Sequence, residues 1–466
     1  MYKKYVSRER SEIVFLLPSS FAASDYLKGP LAKRTDCLNY LVSTILRRQA
    51  TGAGHGNHNF VTLNASELNK IMAKDDAHAV IEAAVNGGAI EIDKHYVKGC
   101  FSRGYRLNER FINDKIVRVK PTGKRIMRAL ERQRNEQPVH HKAPQKTSKL
   151  IQQMTDQYHK LEINIDQARE LISRLPEDSN PFDRQSVIIQ DLVDKNFIVF
   201  PTQWGRLYNN ISGLHSLVRP ALSYRGARLH SVDVKNSQPA FLGFLAQRSH
   251  LTRNQHHPVT PTQTIPCPHN TNPGNPAQPT SPPANPVTRT PGNICLYDSE
   301  NPLESPPDLA LFISEVSEGR FYESFLAELD RNRVTVPTVK YARTRRKMER
   351  QDVKDGFMMH VLAKKGRYRS EFRNIFAKRY PAVDAEIRRT NQSDYRNLIR
   401  ELQRLEADFV IHNVAAGALL LPSKPLVLTL HDCIICGEGE TDLIEGEFER
   451  GFREIRYRMK LTHDLF

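Results

Sequence analysis

The chain has 466 residues, which is long enough for two or three domains with buried cores. Hydrophobic residues make up 39% of it, and no uninterrupted apolar run approaches the roughly 18 residues of a membrane span, so we expect neither a membrane protein nor an exported one. The net charge of +16 favours an extended polyanion, above all nucleic acid, as the partner.

Residues 1–120 are predicted to form a small winged-helix-like DNA-binding domain. Three helices are indicated, with Asn64 as the cap of the second and Gly87-Gly88 as the end of the third. The stretch GAIEIDKHYVKGCFSRGYRLN then alternates as strand, turn and strand, the order of a wing. A small α+β packing domain is the alternative. The cations available on the wing for phosphates are Lys94, Lys98, Arg103 and Arg106.

Residues 121–200 are predicted to be a basic linker followed by a helical, thumb-like arm. The segment VKPTGKRIMRALERQRNEQPVHHKAPQKTSK is basic and punctuated by proline, which is typical of a connector that can lie on a polyanion. From Thr147 to Leu175 the spacing of apolar residues is compatible with long helices.

Residues 201–248 contain the stretch RLHSVDVKNSQPAFLGFL, which predicts a strand, a polar turn and an apolar helix. Leu229, Ser231 and Asp233 share one face of that strand. A carboxylate at its end can project into a cleft, although an Asp in this position is more commonly a turn residue. The stretch alone leaves both interpretations open.

Residues 249–307 are predicted to be a disordered, Pro-rich insertion, because Pro, Asn, Thr and Ser dominate and few apolar groups are present. The histidines and cysteine of NQHHP and CPHN are spaced too irregularly for a zinc site.

Residues 308–400 include YARTRRKMERQDVKDGFMMHVLAKKGRYR. Between Tyr341 and Tyr380 there are 13 Lys and Arg against 4 Asp and Glu. The cations recur at helical spacing, which predicts a cationic face that could bind a nucleoside triphosphate; a solvated helix face is the alternative. Those positions are Arg343, Arg346 or Lys347, Arg350 and Lys354.

Residues 401–466 include PSKPLVLTLHDCIICGEGE, which predicts a hairpin with His431-Asp432 near its turn. Cys433 and Cys436 would point to opposite faces of a strand, so we interpret them as buried apolar residues.

The six cysteines form no dense disulfide pattern, which fits the cytoplasm. Asp233 and Asp432 on neighbouring strands could hold two Mg²⁺ ions.

In their order along the chain, these segments resemble family A DNA polymerases and the related phage-type single-subunit RNA polymerases. VDVKNSQP resembles motif A, RQDVKDGFMMHVLAKKG motif B and TLHDCIICGEG motif C. QWGRLYNNISGLHSLVRPALSYRGARLHSVD resembles the Gly-Arg-Leu segment that precedes motif A, and ELQRLEADFVIHNVAAGALLL the helix beneath the palm. The resemblance covers about residues 200–466. It implies an α+β right-hand fold: an antiparallel palm sheet (201–248 and 401–466), helical fingers (308–400) and the arm in the place of the thumb.

The resemblance also implies roles for individual residues. The metal ligands, for two Mg²⁺ ions with Mn²⁺ as an alternative, would be Asp233, Asp432 and the main-chain carbonyl of Val234. Lys354 would take part in catalysis by protonating the pyrophosphate. The nucleotide would be bound by Arg350, Lys354, Gln238, Met358 and Leu362. The nucleic acid would be bound by Arg206, His431 and Arg346, and by Lys98 and Arg103 of the N-terminal domain.

Two positions depart from the family pattern. Leu362 stands where the family has a Tyr, which puts base-pair checking in doubt. Gln238 stands where DNA polymerases have Glu and RNA polymerases Gly, so the choice of sugar stays open. No proofreading exonuclease is indicated.

The sequence therefore predicts a template-dependent nucleotidyltransferase: a DNA-directed DNA polymerase that replicates a phage or mobile element, with DNA and nucleoside triphosphates as partners and no membrane partner. The DNA would be a primer–template or a specific duplex site. A non-catalytic DNA-binding replication initiator or regulator is one alternative, and a single-subunit RNA polymerase or primase is another. Nothing in the sequence indicates a protein partner.

Overall fold

A computed structural model describes residues 12–50, 54–55, 60–93, 103–135, 145–176, 179–196, 199–201, 205–255, 305–337, 345–362 and 370–466. The fold is α+β, with many helices and antiparallel sheets, as predicted. No helix in these ranges is long and apolar enough to cross a membrane. The chain divides into two compact units. The first comprises Met1–Ser237, Ile399–Glu454 and Met459–Phe466, and the second comprises Gln238–Leu398 and Ile455–Arg458.

The N-terminal part of the first unit combines helices with short strands. Its helices are α1 (Thr35–Ala50), α2 (Ala65–Ile71), α3 (Lys74–Asn86) and α4 (Lys124–Asn135). Its strands are β1 (Phe15–Pro18), β2 (Gly54–His55), β3 (Phe60–Thr62), β4 (Ile90–Ile92), β5 (Gly104–Leu107) and β6 (Ile116–Val119). The predicted cap of α2 is confirmed, because the Asn64 side chain accepts a hydrogen bond from the N–H of Ser66 at 2.9 Å. The predicted end of α3 is confirmed by Gly87 and the left-handed Gly88, with φ +71°.

The strands of this part form two sheets. β1 pairs with β6, and the other four pair in the order β2-β3-β5-β4. β3, which lies between α1 and α2 in the chain, is antiparallel to β5, and β5 is antiparallel to β4. The predicted strand-turn-strand pattern is thus confirmed for β4 and β5, while residues 94–102, with Lys94 and Lys98, lie outside the described residues.

Strand β1 contributes to two hydrophobic cores. Phe15 and Leu17 pack in the core of the N-terminal part, with residues of α1 and α3. Val14 and Leu16 pack in a second core that also contains residues of α7 (Arg184–Val193) and of the large sheet described below. Because side chains alternate along a strand, this short element is apolar on both faces.

The segment predicted to be a basic linker is structured over most of its described length. α4 buries Ile126 and Leu130 in the core of the N-terminal part. Asp36 of α1 holds its start, because one carboxylate oxygen accepts hydrogen bonds from the N–H groups of Thr122 (2.8 Å) and Gly123 (2.6 Å). The prediction of a connector was wrong here, since the apolar spacing of one helix face outweighs the basic composition.

The middle of the chain supplies the remaining part of the first unit. Its helices, apart from α7, are α5 (Gln145–Tyr158), α6 (Ile165–Ser173) and α8 (Ser237–Gln255), of which α8 continues into the second unit. Its strands are β7 (Glu162–Ile163), β8 (Val199–Pro201), β9 (Leu207–Asn209), β10 (Leu222–Tyr224) and β11 (Ala227–Val234). The buried residues Tyr158, Ala168 and Ile188 of α5, α6 and α7 belong to the same core as the sheet. The helices of the predicted arm therefore pack on the sheet.

The second unit is mainly helical. Its elements are α9 (Pro307–Ser317), α10 (Phe321–Arg331), β12 (Thr335–Pro337), β13 (Arg345–Lys347), α11 (Arg350–Gly356), a π-helical turn (Phe357–Leu362), α12 (Glu371–Arg379) and α13 (Pro381–Thr390). Aromatic rings form its centre: Phe321 lies 5.2 Å from Phe312 and 5.1 Å from Phe357 between ring centroids. The buried Glu315 accepts hydrogen bonds from Tyr380 and from Arg379, the latter at 2.6 Å.

Two sequence predictions for this region need correction. The cations from Arg346 to Lys354 do not share one helix, because Arg346 lies in β13 and α11 begins only at Arg350. Helix α8 also continues to Gln255, seven residues into the segment predicted to be disordered. Its last turns are held by Glu386, which accepts a hydrogen bond from Ser249 at 2.9 Å. Residues 256–304 of that segment lie outside the described residues.

The C-terminal part returns to the first unit and completes its largest sheet. Its elements are α14 (Asn397–Ala407), a π-helical stretch (Asp408–Ala415), α15 (Ala416–Ala418), β14 (Leu428–Leu430), β15 (Cys433–Gly437), α16 (Thr441–Ile455) and β16 (Leu461–Leu465). Among the described residues the sheet has the order β14-β15-β11-β10-β7, and β16 also pairs with β11. We call this six-stranded sheet the central sheet. Its centre is β11, which is antiparallel to both β15 and β16.

Candidate active site

Two carboxylates meet at one edge of the central sheet. Asp233 lies near the end of β11, and Asp432 lies in the turn between β14 and β15. The register pairs Asp233 with Cys433, the residue after Asp432. The N–H of Val234 donates to the main-chain carbonyl of Asp432 at 3.4 Å. The sequence predicted the strand, the hairpin and the closeness of the two acidic residues, and the structure contains all three.

Asp233 has no counter-charge of its own. One of its carboxylate oxygens is buried and has no hydrogen-bond partner among the described residues. Burial, and then the negative charge of Asp432, raise the pKa of Asp233 to about 8, with smaller contributions from Asp464 and Glu406. No described Lys, Arg or His forms an ion pair with Asp233 or Asp432. An unpaired buried carboxylate is costly for stability, so the site is suited to an added cation.

Left-handed residues stand beside both carboxylates. His431, in the hairpin turn before Asp432, has φ +56°, and Asn236, in the turn after Asp233, has φ +55°. A side chain with a Cβ rarely adopts this conformation, and strained residues of this kind concentrate at functional sites. Both turns are thus held in place by the surrounding sheet.

A buried ion pair borders the carboxylates. Arg206 binds Glu406, at the C-terminal end of α14, through two contacts: Nε lies 2.7 Å from Oε1, and Nη2 donates to Oε2 at 2.8 Å. The Ser237 hydroxyl donates to Oε2 of the same carboxylate at 2.9 Å. Burial, and then Asp432, raise the pKa of Glu406, whereas Arg206 and Ser237 lower it. Arg206, predicted to bind nucleic acid, is therefore engaged by Glu406.

His431 is also predicted to bind nucleic acid, and it is partly buried between the ring of Tyr208 and the charged groups of Arg206 and Asp432. Its ring is 5.6 Å from that of Tyr208, edge to face, and its Nδ1 is buried with no partner among the described residues. Burial, and then Arg206, lower the pKa of His431, so the imidazole is neutral at neutral pH. It can donate or accept a hydrogen bond but adds no positive charge.

The two cysteines of the hairpin are buried thiols. Cys433 and Cys436 are both buried and free, as the sequence predicts. Burial, and then Asp233, raise the pKa of Cys433 well above its ordinary value, which keeps the thiol protonated. In the described part of the chain, no group of three or more His, Cys, Asp or Glu is arranged to hold a metal ion.

The residues predicted to bind the nucleotide lie in the second unit. Lys354 is exposed and makes no ion pair with a described residue. Arg350 donates to Glu323 at 2.7 Å, and Arg346 binds Asp352 through two contacts of 2.7 and 3.0 Å. Of the predicted cationic positions, Arg346 and Arg350 therefore have carboxylate partners, and Arg343 lies outside the described residues.

The remaining nucleotide-binding predictions fall at the π-helical turn and at the start of α8. Leu362 is fully buried, so its side chain presents no surface to a ligand in this conformation. Met358 is half-buried, and the neighbouring Met359, which the sequence did not single out, is 56% exposed. Gln238 is half-buried.

The wing cations differ in how far they are available. Arg103 is exposed and also has an interaction within the protein. Arg106 donates to Glu91 at 2.9 and 2.7 Å through Nε and Nη2, and lies over the ring of Phe60. Arg106 therefore helps to hold β4 against β5, and its availability for phosphates was predicted wrongly.

Sequence reasoning missed several residues that position the site. The most informative is Glu406, which continues the buried stripe of Leu398 and Leu402 at a spacing of four residues. A charged residue on such a stripe is a signal of a buried partner. Others are Tyr158 and Asn209, which donate to the carbonyl of Thr429 at 3.1 and 3.0 Å and so fix β14 beside the hairpin turn.

The geometry thus joins Asp233 and Asp432 at one edge of a sheet and surrounds them with Glu406, Arg206 and His431. No protein-family model and no curated protein matches this chain.

Proposed function

We propose that this protein is a template-dependent nucleotidyltransferase, most simply a DNA-directed DNA polymerase, with Asp233 and Asp432 as its acidic pair. The observation that carries the proposal is the meeting of these carboxylates, one near the end of β11 and one in the turn before the adjacent β15, with no described cation to neutralise them. Phosphoryl transfer needs little covalent chemistry from the protein and depends on positioning and charge. A rigid acidic pair at a sheet edge suits that requirement.

The acidic pair fits Mg²⁺, with Mn²⁺ as an alternative. Mg²⁺ prefers oxygen ligands and is commonly held by one or two carboxylates, with substrate phosphates and water completing the shell. The buried, unpartnered oxygen of Asp233 is a suitable donor. When bound, two such ions lower the pKa of an attacking hydroxyl and neutralise charge on the leaving pyrophosphate. The carbonyl of Val234, next to Asp233, is a third candidate ligand.

The remaining roles belong to protein side chains. Lys354, which is exposed, would bind the triphosphate and donate a proton to the pyrophosphate. Arg350 would join it after exchanging Glu323 for a phosphate, because an exposed ion pair contributes at most about 1 kcal/mol. His431 would offer a neutral hydrogen-bonding group near the primer terminus.

The N-terminal part supports a role in DNA binding. After α1 its elements are β2, β3, α2, α3, β4 and β5, and β3 pairs with β5. Apart from the short β2, this order and pairing support the proposal of a winged-helix domain that binds duplex DNA. We therefore propose that it recognises a duplex site for the catalytic part.

The experiment is primer extension with Asp233→Asn and Asp432→Asn, each measured with Mg²⁺ and with Mn²⁺. We expect both variants to lose extension by several orders of magnitude while they retain binding to a primer–template. Asp166→Asn is the matched control, because it removes a carboxylate that is 96% exposed on α6. Extension that persists in either test variant would refute the proposal. Ribonucleotides and deoxyribonucleotides, with and without primer, distinguish a DNA polymerase from an RNA polymerase or primase.

A second candidate is a DNA-binding initiator or regulator that keeps the central sheet only as a scaffold. The pairing of Arg206 with Glu406 and of Arg350 with Glu323 favours it, because both cations are occupied within the protein. This candidate predicts DNA binding without extension in the wild-type protein.

A further inference from the structure

Helix α4 is a fixed part of the N-terminal surface. Ile126 and Leu130 are buried in the core, and Asp36 holds the turn before the helix through the N–H groups of Thr122 and Gly123. Arg132 donates to the main-chain carbonyl of Lys70 in α2 at 3.3 Å. Contacts at both ends and along one face therefore set the orientation of α4.

The opposite face of α4 carries a cluster of cations. Lys124, Arg125 and Arg128 are exposed, and none of them makes an ion pair or hydrogen bond with a described residue. At 100° per residue they fall on the side away from Ile126 and Leu130. One carboxylate, Glu131, is exposed on the same side. The face therefore has an excess of positive charge that nothing in the described part of the chain neutralises.

The helix and the wing through which a winged-helix domain usually binds DNA have fewer exposed cations than α4 among the described residues. In such domains the helix before the wing, here α3, enters the major groove. The exposed residues of α3 include His78, Glu82 and Asn86, with His78 and Glu82 3.9 Å apart. Asp76 of the same helix is engaged by Arg34 at 2.8 Å. On the wing, Arg106 is bound to Glu91. Neither element presents a cation cluster comparable to that of α4 in the described residues.

We infer that α4, and not α3, is the helix through which the N-terminal part binds double-stranded DNA. The cations of an exposed helix are complementary to a phosphate backbone, and they release counterions when they bind. A helix with its side chains is 10–12 Å wide, which fits the major groove of B-DNA at about 12 Å. The deep, narrow major groove of an A-form duplex does not admit a helix, so the surface favours DNA over double-stranded RNA.

This inference rests on the proposed function only in taking nucleic acid as the partner. The test uses the full-length protein and a fluorescent duplex of about 25 base pairs, with anisotropy measured over a range of NaCl concentrations. The test variant combines Lys124→Gln, Arg125→Gln and Arg128→Gln, and it leaves Arg132 in place because of its contact with Lys70. A matched control removes three exposed cations from other parts of the first unit, none of which makes an ion pair or side-chain hydrogen bond with a described residue: Lys33→Gln, Lys115→Gln and Lys149→Gln. A third variant, His78→Ala with Asn86→Ala, tests α3.

We expect the α4 variant to bind duplex DNA at least about 10-fold more weakly near 0.1 M salt, and the slope of log K against log [salt] to fall by up to about 3. The control and the α3 variant should change affinity less than about 3-fold. Circular dichroism and thermal unfolding confirm that each variant folds.

Three outcomes would overturn the inference: equal losses in the α4 variant and the charge-matched control, a loss in the α3 variant alone, or an equal dependence on α4 for an A-form RNA duplex. Each leaves the proposed function standing, because that is read separately from primer extension by the Asp233 and Asp432 variants. Absence of extension by the wild-type protein, with α4-dependent DNA binding intact, would instead refute the proposed function and support this inference.

Discussion

Arg206 and Glu406 are 200 residues apart in the sequence and form a two-contact ion pair beside Asp432. Glu406 is 1% exposed and Arg206 18% exposed, so the carboxylate is the member that depends on its partner. Arg206 was predicted from the sequence to contact nucleic acid. In the structure its guanidinium also neutralises a charge that would otherwise be buried next to the acidic pair.

The first prediction follows from this asymmetry. Arg206→Ala leaves Glu406 buried and unpaired, and we expect it to lower the free energy of unfolding by about 3 kcal/mol. Glu406→Gln should cost less, because Arg206 keeps some access to water and a hydrogen-bonding partner. Urea unfolding measures both, with Lys149→Ala as an exposed-cation control expected within about 0.5 kcal/mol of wild type. Unchanged stability in Arg206→Ala, with DNA affinity reduced, would show that the role of Arg206 is contact with nucleic acid.

The second prediction concerns the anchoring of the hairpin that carries Asp432. The Tyr158 hydroxyl donates to the carbonyl of Thr429 at 3.1 Å in a fully buried position. Tyr158→Phe should therefore destabilise the protein by about 1 kcal/mol. The hydroxyl of Tyr224 is buried without a hydrogen-bond partner among the described residues, so Tyr224→Phe should be neutral or stabilising. Thermal unfolding of the two variants side by side is the measurement, and equal effects would contradict the assignment.

The third prediction is a pH dependence at the contact between α1 and α7. Asp191 is 1% exposed, lies 3.0 Å from Nε of Arg47 and accepts a hydrogen bond from Asn196 at 3.1 Å. Burial raises the pKa of Asp191 to about 6 and outweighs the opposing effect of Arg47. Since this pKa is above the unfolded value of about 3.9, the folded state binds the proton more tightly. The stability that protonation contributes is full below about pH 4 and is lost as the pH rises through 6.

In Asp191→Asn the amide does not titrate. The variant should therefore not show the loss of stability that Asp191 causes as the pH rises through 6. The stability of the variant relative to wild type should therefore rise by about 2 kcal/mol between pH 4 and pH 7, whatever constant offset the unpaired Arg47 adds. Urea unfolding at several pH values measures the difference. Asp166→Asn, whose parent side chain is 96% exposed, is the control for removing a carboxylate. A pH-independent difference for Asp191→Asn would show that the pKa of Asp191 is the same in the folded and unfolded states.

The fourth prediction tests the proposed triphosphate site. Arg350 must leave Glu323 to bind a phosphate, and their contact is half-exposed on both sides. Glu323→Gln should therefore lower the KM for the nucleotide by up to about 5-fold, while Arg350→Gln should raise it. Steady-state primer extension gives both values, and Asp330→Asn on the same helix, α10, is the control. A higher KM in Glu323→Gln would mean that Glu323 positions Arg350 for the nucleotide instead of competing for it.

Local signals predicted the parts of the fold that depend on neighbouring residues. The side chain of Asn64 and the backbone freedom of Gly88 determine the ends of their helices within a few residues. The strand ending at Asp233 and the hairpin around His431-Asp432 follow from short apolar runs interrupted by polar pairs. Their pairing with each other has no local signal: it was inferred from the two carboxylates that a pair of Mg²⁺ ions requires, and the resemblance to a known family supported it.

Errors arose where distant partners decide the structure. Helix α11 begins at Arg350 because Glu349 and Asp352 form a capping box. Arg346 lies in a strand because it pairs with Val336. In α4 the basic composition suggested a linker, although Ile126 and Leu130 form a short apolar stripe. Their burial in the core depends on the packing of distant parts of the chain. Glu406 could not be assigned a partner, since no local feature connects it with Arg206.

The alternation of strand β1 between two cores has a consequence for how this protein can be divided. A fragment starting after the N-terminal part would lose Val14 and Leu16 from the core beneath the central sheet, and an isolated N-terminal fragment would expose the same two side chains to water. The two parts therefore cannot be exchanged as independent modules. The cationic face of α4 and the acidic pair would have to be inherited, expressed and engineered together.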